Sequence, residues 1–370
     1  MEQIFIVVSD GCLHAFGQDL AQILVTRSRV TGQADSFQDE IRRRGDEVAW
    51  FIEPDCPVLL EKNEKWLQSV QSVMDYQPIA VFAPGNYIYD FFPGVKVSLF
   101  HGYPINKRGD EKDDHFSVRG WFDVYCTQGS TSTIPFKELE RKYGFFKVYE
   151  TGWCKADAFV KERGKSATHA RPVVLYSSTF TKDITSAPCL FDTIKRLANE
   201  KDWDWIISFH PKFNDSATLK KYKALAKECP NVTFHESGLV DASLLNSADV
   251  LLSDASSVIV EFMMLDKPVV TYCNTAPAGH LLNVTDVDAV EGAIEKAISR
   301  PEDLMEQIRA YVHKHEAHLD GESSSRVLDS VNNYIWYYQG RTRMKPWNLV
   351  RKFKLRWKIG YPLMSTLGLW

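Results

Sequence analysis

The chain has 370 residues and a mass of 42.3 kDa, more than the ~100 to 200 residues usual for one domain, so two separate cores are expected. With 44% apolar, 25% charged and 12% aromatic residues it has a globular composition, and wholesale disorder is excluded. A formal net charge of -4 and a pI near 6.2 argue against nucleic acid as a partner, because proteins built around phosphate backbones carry a strongly basic domain or face.

The charge is unevenly spread. Beyond Asp329 there is no acidic residue, while Arg341, Arg343, Lys345, Arg351, Lys352, Lys354, Arg356 and Lys358 are all basic, which leaves -12 on residues 1–329. An acidic body with a basic, aromatic tail points to an anionic surface, of which a cytoplasmic membrane leaflet is the commonest. Cys12, Cys56, Cys126, Cys154, Cys189, Cys229 and Cys273 are odd in number, lack a Cys-x-x-Cys pair and lie in or beside apolar runs, so they read as reduced core thiols of a cytosolic protein. The apolar run near Met1 is too short for a signal-peptide core. No stretch of ~20 apolar residues reads as a transmembrane helix.

In chain order, strands are expected at Ile4–Val8, Glu47–Ile52, Ile79–Phe82, Val95–Phe100, Val124–Thr127 and Val148–Thr151, with helical patterns at Lys62–Met74 and Ser132–Tyr143. A polar stretch, Lys155–Arg171, reads as an interdomain linker before Pro172. Strands resume at Val173–Ser177, Trp205–Phe209, Val232–His235, Val250–Ser253 and Val269–Tyr272. Alternating strands and helices in both halves predict an α/β protein with two Rossmann-like domains facing a cleft, closed by C-terminal helices. The expected division is 1–155, 172–320, and a C-terminal segment 321–370 with a basic amphipathic tail.

Ligands of open parallel sheets bind beyond the carboxyl ends of the strands, so the residues after each strand are the candidates. His101 follows an apolar strand and precedes Gly102. A neutral imidazole there can take a proton from an attacking hydroxyl near pH 7, although a lone His-Gly is equally the pattern of a histidine bonded to a neighbouring loop. His210-Pro211-Lys212 sits at a strand end in the other half, suited to phosphate oxygens or to a simple turn. Leu252–Val258 is the most informative segment. Ser256 and Ser257 open a helix expected to run to about Leu265, where hydroxyls and unpaired N–H groups favour an anion, and Asp254 or Ser256 can equally cap it. Glu261 lies a turn further on, able to accept from ribose hydroxyls or to pair with a lysine. Thr179 belongs to a hydroxyl-rich turn, Tyr176–Thr181, open to phosphate, nucleobase or its own backbone.

Other signals are discounted. Asp202-Trp203-Asp204 precedes a strand and reads as a solvated turn. His313, His315 and His318 could face a metal only if their helix turned inward, and Lys314 and Glu316 mark that helix as wet surface, so no metal is expected. The Ser9–His14 loop lacks a full Gly-x-Gly-x-x-Gly and supports no dinucleotide cofactor, with His14 left as a rival base. No cofactor is expected.

Taken together these segments resemble the CDP-glycerol:poly(glycerophosphate) glycerophosphotransferases, the teichoic-acid primase and polymerase family with a GT-B-type fold. The family's Trp-His-Gly-Thr-Pro-Leu-Lys is similar to Phe100-His101-Gly102-Tyr103-Pro104-Ile105 with Lys107 one position later. Its Gly-Tyr-Pro-Arg-x-Asp resembles Gly152-Trp153-Cys154-Lys155-Ala156-Asp157, and its Tyr-Ala-Pro-Thr-Trp-Arg resembles Tyr176–Thr181 without the arginine. Its His-Pro is met by His210-Pro211, and its Ser-Asp-Tyr-Ser-Ser by Ser253-Asp254-Ala255-Ser256-Ser257.

The resemblance implies transfer of a polyol phosphate from a CDP-activated donor, CDP-glycerol or CDP-ribitol, to a hydroxyl of a lipid-linked glycan, releasing CMP. It implies His101 and His210 as catalytic residues, and Ser256, Ser257, Asp254, Lys212, Thr179 and Glu261 on the donor. Gly102, Lys107, Lys155 and Asp157 are expected on the acceptor or donor side. A peripheral place on the cytoplasmic face of a membrane is expected, with Trp347, Leu349, Val350, Phe353, Leu355 and Trp357 interleaved with cations as an interfacial helix requires, or packed on the protein as a terminal helix. The alternatives are a GT-B glycosyltransferase or sugar-nucleotide epimerase acting on a UDP- or CMP-sugar, and a non-catalytic nucleotide-sugar or glycan binder.

Overall fold

The computed structural model of the chain describes residues 4–9, 33–53, 60, 62–100, 102–103, 114–163, 165, 169–210, 212–236 and 240–361. His101 and Lys107 lie outside the described residues, as do His14, Cys12, Cys56, Pro104, Ile105 and Pro211.

The chain begins with β1 (Ile4–Ser9), α1 (Gln33–Arg43), β2 (Glu47–Ile52), β3 (Lys65–Trp66), α2 (Val70–Tyr76), β4 (Ala80–Ala83), β5 (Val95–Ser98), β6 (Val124–Thr127), α3 (Ser130–Tyr143) and β7 (Lys147–Glu150). These seven strands form one sheet in the order β3-β2-β1-β4-β5-β6-β7, every pairing parallel. After α4 (Ala156–Arg163) come β8 (Val173–Ser178), α5 (Ala187–Glu200), β9 (Asp204–Phe209), α6 (Ser216–Glu228), β10 (Val232–Phe234), α7 (Ala242–Asn246), β11 (Val250–Ser253), α8 (Val258–Met263), β12 (Val269–Tyr272) and β13 (Leu282–Val284). They make a second parallel sheet, β10-β9-β8-β11-β12-β13. Both sheets have the strand-order reversal of doubly wound folds. Strands such as β4, β8 and β11 are buried along their whole length, because helices cover both faces, and that is why they read as unbroken apolar runs.

Where structure and expectation differ, the reason is local. Within the Lys62–Met74 pattern, Lys65 and Trp66 instead pair with the edge of β2. Ser69 then starts α2 by a reciprocal cap with Ser72, N–H to Oγ at 3.0 and 3.1 Å. The stretch read as a linker contains α4, because Ala156 and Phe159, one turn apart, are fully buried among Tyr103, Trp153 and the second lobe's apolar residues. The helix after Ser257 ends at Met263 rather than Leu265. Cys189 and Cys273 are exposed, whereas Cys126, Cys154 and Cys229 are core residues as expected.

The C-terminal part comprises α9 (Val290–Ile298), α10 (Glu302–His315), α11 (Ser323–Tyr337) and α12 (Leu349–Lys358). Helix α11 leaves the second sheet and returns to the first, where Val327, Leu328, Val331 and Tyr334 pack with Phe37, Ile41, Phe82, Val97 and Cys126. Helix α12 lies on the first lobe through its basic face. Lys345 pairs with Asp123 at 2.7 Å, Arg356 with Asp90 at 2.9 Å, and Lys358 with the buried Glu53. Among the described residues no helix is long and apolar enough to cross a membrane. Leu328 is 1% exposed in a core built by α11 and the first lobe, so Leu328→Ala should lower unfolding free energy by about 2 to 5 kcal/mol. Urea denaturation of the full chain measures this loss.

Candidate active site

In the second sheet β8 and β11 are neighbours, Ser177 opposite Ser253, and the chain leaves them towards opposite sides. The crevice at this reversal point is where an open parallel sheet binds its ligand. It is organised by Asp254, which has no exposed surface. Its Oδ1 accepts the N–H of Thr179 at 2.9 Å and of Ala255 at 2.8 Å. Its Oδ2 accepts Ser178 Oγ at 2.6 Å and both the N–H and Oγ of Ser186 at 3.0 Å. With every lone pair engaged, Asp254 ties the loop after β8 to the loop after β11 and sets where Thr179, Ser256 and Ser257 stand.

Ser257 opens α8 with no side-chain capping bond, and Ser256 Oγ accepts a long 3.4 Å bond from Val258 N–H. His210, at the end of β9, accepts the N–H of Lys212 on Nδ1 at 3.1 Å, which in the neutral ring puts the proton on Nε2 and makes that atom a donor. Its ring lies 4.5 Å from that of Phe180, next to Thr179, and Lys212 Nζ sits 4.8 Å over the same ring. The structure thus gathers Thr179, His210, Lys212, Asp254, Ser256 and Ser257 at the carboxyl edge of one sheet. Hydroxyls, an imidazole N–H and an ammonium form a set of donors suited to phosphate oxygens.

Lys155, Asp157 and Glu261 lie instead on the seam between the lobes. Lys155 Nζ is 2.6 Å from Glu261 Oε2, both side chains buried. Asp157 accepts the N–H groups of Ser323 and Ser324 at 2.9 Å and Ser324 Oγ at 2.7 Å, so it caps α11, where a negative charge meets the positive end of the helix. Gly102 is bound through its carbonyl by Gln128 Nε2 at 2.8 Å.

Sequence reasoning missed Gln128, Tyr103 and Glu316. Glu316, which the pattern places on a wet surface, is 1% exposed, and His315 beside it is buried too, its ring tilted against that of Tyr311 at 4.1 Å. Burial pushes the Glu316 carboxyl up to about 8, against the donors Tyr103 O–H and the N–H groups of Trp153 and His318. Asp202 and Asp204 both pair with Arg171, at 3.3 and 2.8 Å.

Residues 81–333 match the model of the CDP-Glycerol:Poly(glycerophosphate) glycerophosphotransferase family. The chain belongs to this family. A curated relative, the teichoic acid glycerol-phosphate primase of Bacillus spizizenii, is 25% identical over 174 residues, which span 44% of this chain and 44% of that protein. Among solved structures, the wall teichoic acid polymerase TagF superposes with a TM-score of 0.59 at 13% identity, over 90% of this chain and 89% of that one. A putative UDP-N-acetylglucosamine 2-epimerase from Listeria monocytogenes gives 0.58 at 12%, over 90% and 97%. At these identities the structures establish the fold, two parallel α/β domains of GT-B type, and family membership comes from the sequence match.

The Lys155–Glu261 pair generates a stability test. Lys155→Ala leaves a buried carboxylate without its cation and should cost about 3 to 5 kcal/mol, whereas Lys155→Met combined with Glu261→Met should recover most of the loss. Chemical denaturation of the two variants distinguishes an ion pair that is required as a pair from one that is a net source of stability.

Proposed function

We propose that the protein transfers glycerol phosphate, or a related polyol phosphate, from a CDP-activated donor to a hydroxyl of a lipid-linked glycan in teichoic-acid-type synthesis, releasing CMP. The observation that carries this reading is the family match, which covers the whole second sheet, reaches into the first from β4 onward and includes the crevice organised by Asp254. The TagF structure obtained with CDPG supports a CDP-glycerol donor. In this reading the donor pyrophosphate lies against Ser256, Ser257, Thr179, His210 and Lys212, with Asp254 holding their loops. Glu261, though paired with Lys155, stands a turn beyond Ser257 on the donor side.

His101 takes the proton of the acceptor hydroxyl. The acceptor oxygen forms a bond to the outer phosphorus in line with the bond that breaks to the CMP oxygen, and Nε2–H of His210 with Lys212 meets the charge left on CMP. Positioning and preorganised charge of this kind supply most of catalysis in phosphoryl transfer. The division into an acceptor-side domain over 1–155, a donor domain over 172–320 and a returning segment over 321–370 belongs to the same proposal, as does a place on the acceptor or donor side for Gly102, Lys107, Lys155 and Asp157, the last two acting through the seam they hold.

The cytoplasmic membrane face completes the reading. With Lys345, Lys352, Arg356 and Lys358 turned to the acidic residues of the first lobe, Trp347, Leu349, Val350, Phe353 and Trp357 stand outward, Trp347 at 73% and Trp357 at 76% exposure, beside the exposed Arg351 and Lys354. An apolar ridge flanked by cations suits the headgroup region of an anionic bilayer.

Two measurements test the proposal. CDP-glycerol or CDP-ribitol, together with CMP, should raise the melting temperature, and turnover should release CMP with a phosphodiester product. Stabilisation by UDP-sugars alone, with UDP released, supports the sugar-nucleotide reading that the epimerase-like fold leaves open. Separately, sedimentation with phosphatidylglycerol-containing vesicles should fall sharply for Trp347→Glu combined with Trp357→Glu while donor binding stays unchanged; undiminished sedimentation refutes contact through α12.

A further inference from the structure

The chain leaves β5 through a turn whose backbone is strained. Phe100 has φ of +54°, a left-handed conformation that costs a bulky residue about 1 to 3 kcal/mol and persists only where surrounding structure enforces it. The enforcement is visible. Phe100 is 3% exposed, its ring stacked on His115 and edge-on to Phe136, each at 5.1 Å. Its carbonyl accepts Trp153 Nε1–H at 3.3 Å, and the carbonyl of Gly102 accepts Gln128 Nε2–H at 2.8 Å. These two donors belong to the same lobe as the turn, on the loops after β7 and β6.

The third tether comes from across the seam. Tyr103 O–H donates to Glu316 Oε2 at 2.8 Å, and the Trp153 N–H reaches the same oxygen at 3.0 Å. Glu316 follows the last turn of α10, whose Leu304, Met305, Ile308 and Val312 share a core with α8 and β12 of the second lobe. The Tyr103 hydroxyl is also 3.3 Å from Met264 Sδ, just after α8, the helix opened by Ser257. One carboxyl group therefore holds both Tyr103, which ends the turn, and Trp153, whose indole fixes its start. Gly152 makes the approach possible, since a Cβ there would lie 2.6 Å from Glu316 Oε1.

We infer that Glu316 is a positioning residue for the reaction, holding Tyr103 directly and Phe100 through Trp153 from the second lobe, so that this loop edge of the first lobe and the donor loops are held in register. The inference rests on the reading of His101 as base, and adds that the residues flanking it in sequence, Phe100, Gly102 and Tyr103, are tied down in part by the lobe opposite. Tyr103 and Glu316 act as a unit: the hydroxyl matters because of the oxygen that receives it.

The test compares kcat and donor KM for CMP release from CDP-glycerol in Tyr103→Phe, Glu316→Ala, Glu316→Gln and His101→Ala, with melting temperature confirming that each is folded. Tyr103→Phe removes one hydroxyl from a buried ring, and kcat should fall on the order of 100-fold with donor KM unchanged, the size expected when a reacting group is misplaced by about an ångström. Adding Tyr103→Phe to Glu316→Ala should cost nothing more, because the two remove one interaction. Glu316→Gln keeps an oxygen for the Tyr103 hydroxyl and should restore kcat towards wild type where Glu316→Ala does not. Wild-type kcat in Tyr103→Phe, or additive losses in the double variant, overturns the inference while an inactive His101→Ala still upholds the base. An active His101→Ala overturns both together.

Discussion

A carboxyl group taken out of water has to find hydrogen-bond partners, and in this protein that requirement determines how distant parts of the chain are joined. Asp157, Asp254, Glu261 and Glu316 are all buried, and each bonds to residues 75 or more positions away: Asp254 to Thr179, Glu261 to Lys155, Glu316 to Trp153 and Asp157 to Ser323. Apolar side chains can slide over one another at little cost, but a buried acid with two or three directed bonds has one acceptable place. Asp254 shapes the crevice of the second sheet. Glu261 and Glu316 tie that lobe to the first, and Asp157 anchors the start of α11.

The C-terminal return depends on the same electrostatics at the surface. Residues 1–329 carry the acidic excess and the tail carries only cations, so the tail's basic face is drawn to Asp90, Asp123 and Glu53. The side of α12 left outward is then the aromatic one. An amphipathic helix laid on a protein usually hides its apolar face. Here charge complementarity reverses the orientation, with Leu355 of the helix and Ile359 just beyond it packed against the first lobe's core.

Most strands were legible because parallel strands covered on both faces are continuous apolar runs. β3 and β13 were not, being two and three residues long at sheet edges with no fully buried residue in either, whereas the equally short edge strand β10 keeps a buried Val232. The loops at Thr179, His210 and Asp254 were legible from their position after strands. Which of their residues line a crevice and which hold the loops was not, since Asp254's partners are contributed by folding. Glu316 shows the limit most clearly. The wet-surface reading of its neighbours assumes helical periodicity, but the helix ends at His315 and Glu316 is extended, with φ of -128°. The chain turns there, and a residue that the pattern would place in water is carried into the seam.

The segment Gly152–Asp157 shows what a motif can mean in a two-lobed enzyme. Gly152, at φ of +79°, leaves room for the carboxyl of Glu316. Trp153 donates to that carboxyl from its backbone, Lys155 neutralises Glu261, and Asp157 caps the helix that returns to the first sheet. All of these bonds cross between segments, and together they set the distance between the two carboxyl edges. Reacting groups carried on separate lobes have to meet within about half an ångström of the productive geometry. A motif resemblance alone does not tell residues that fix the seam from residues that touch a ligand.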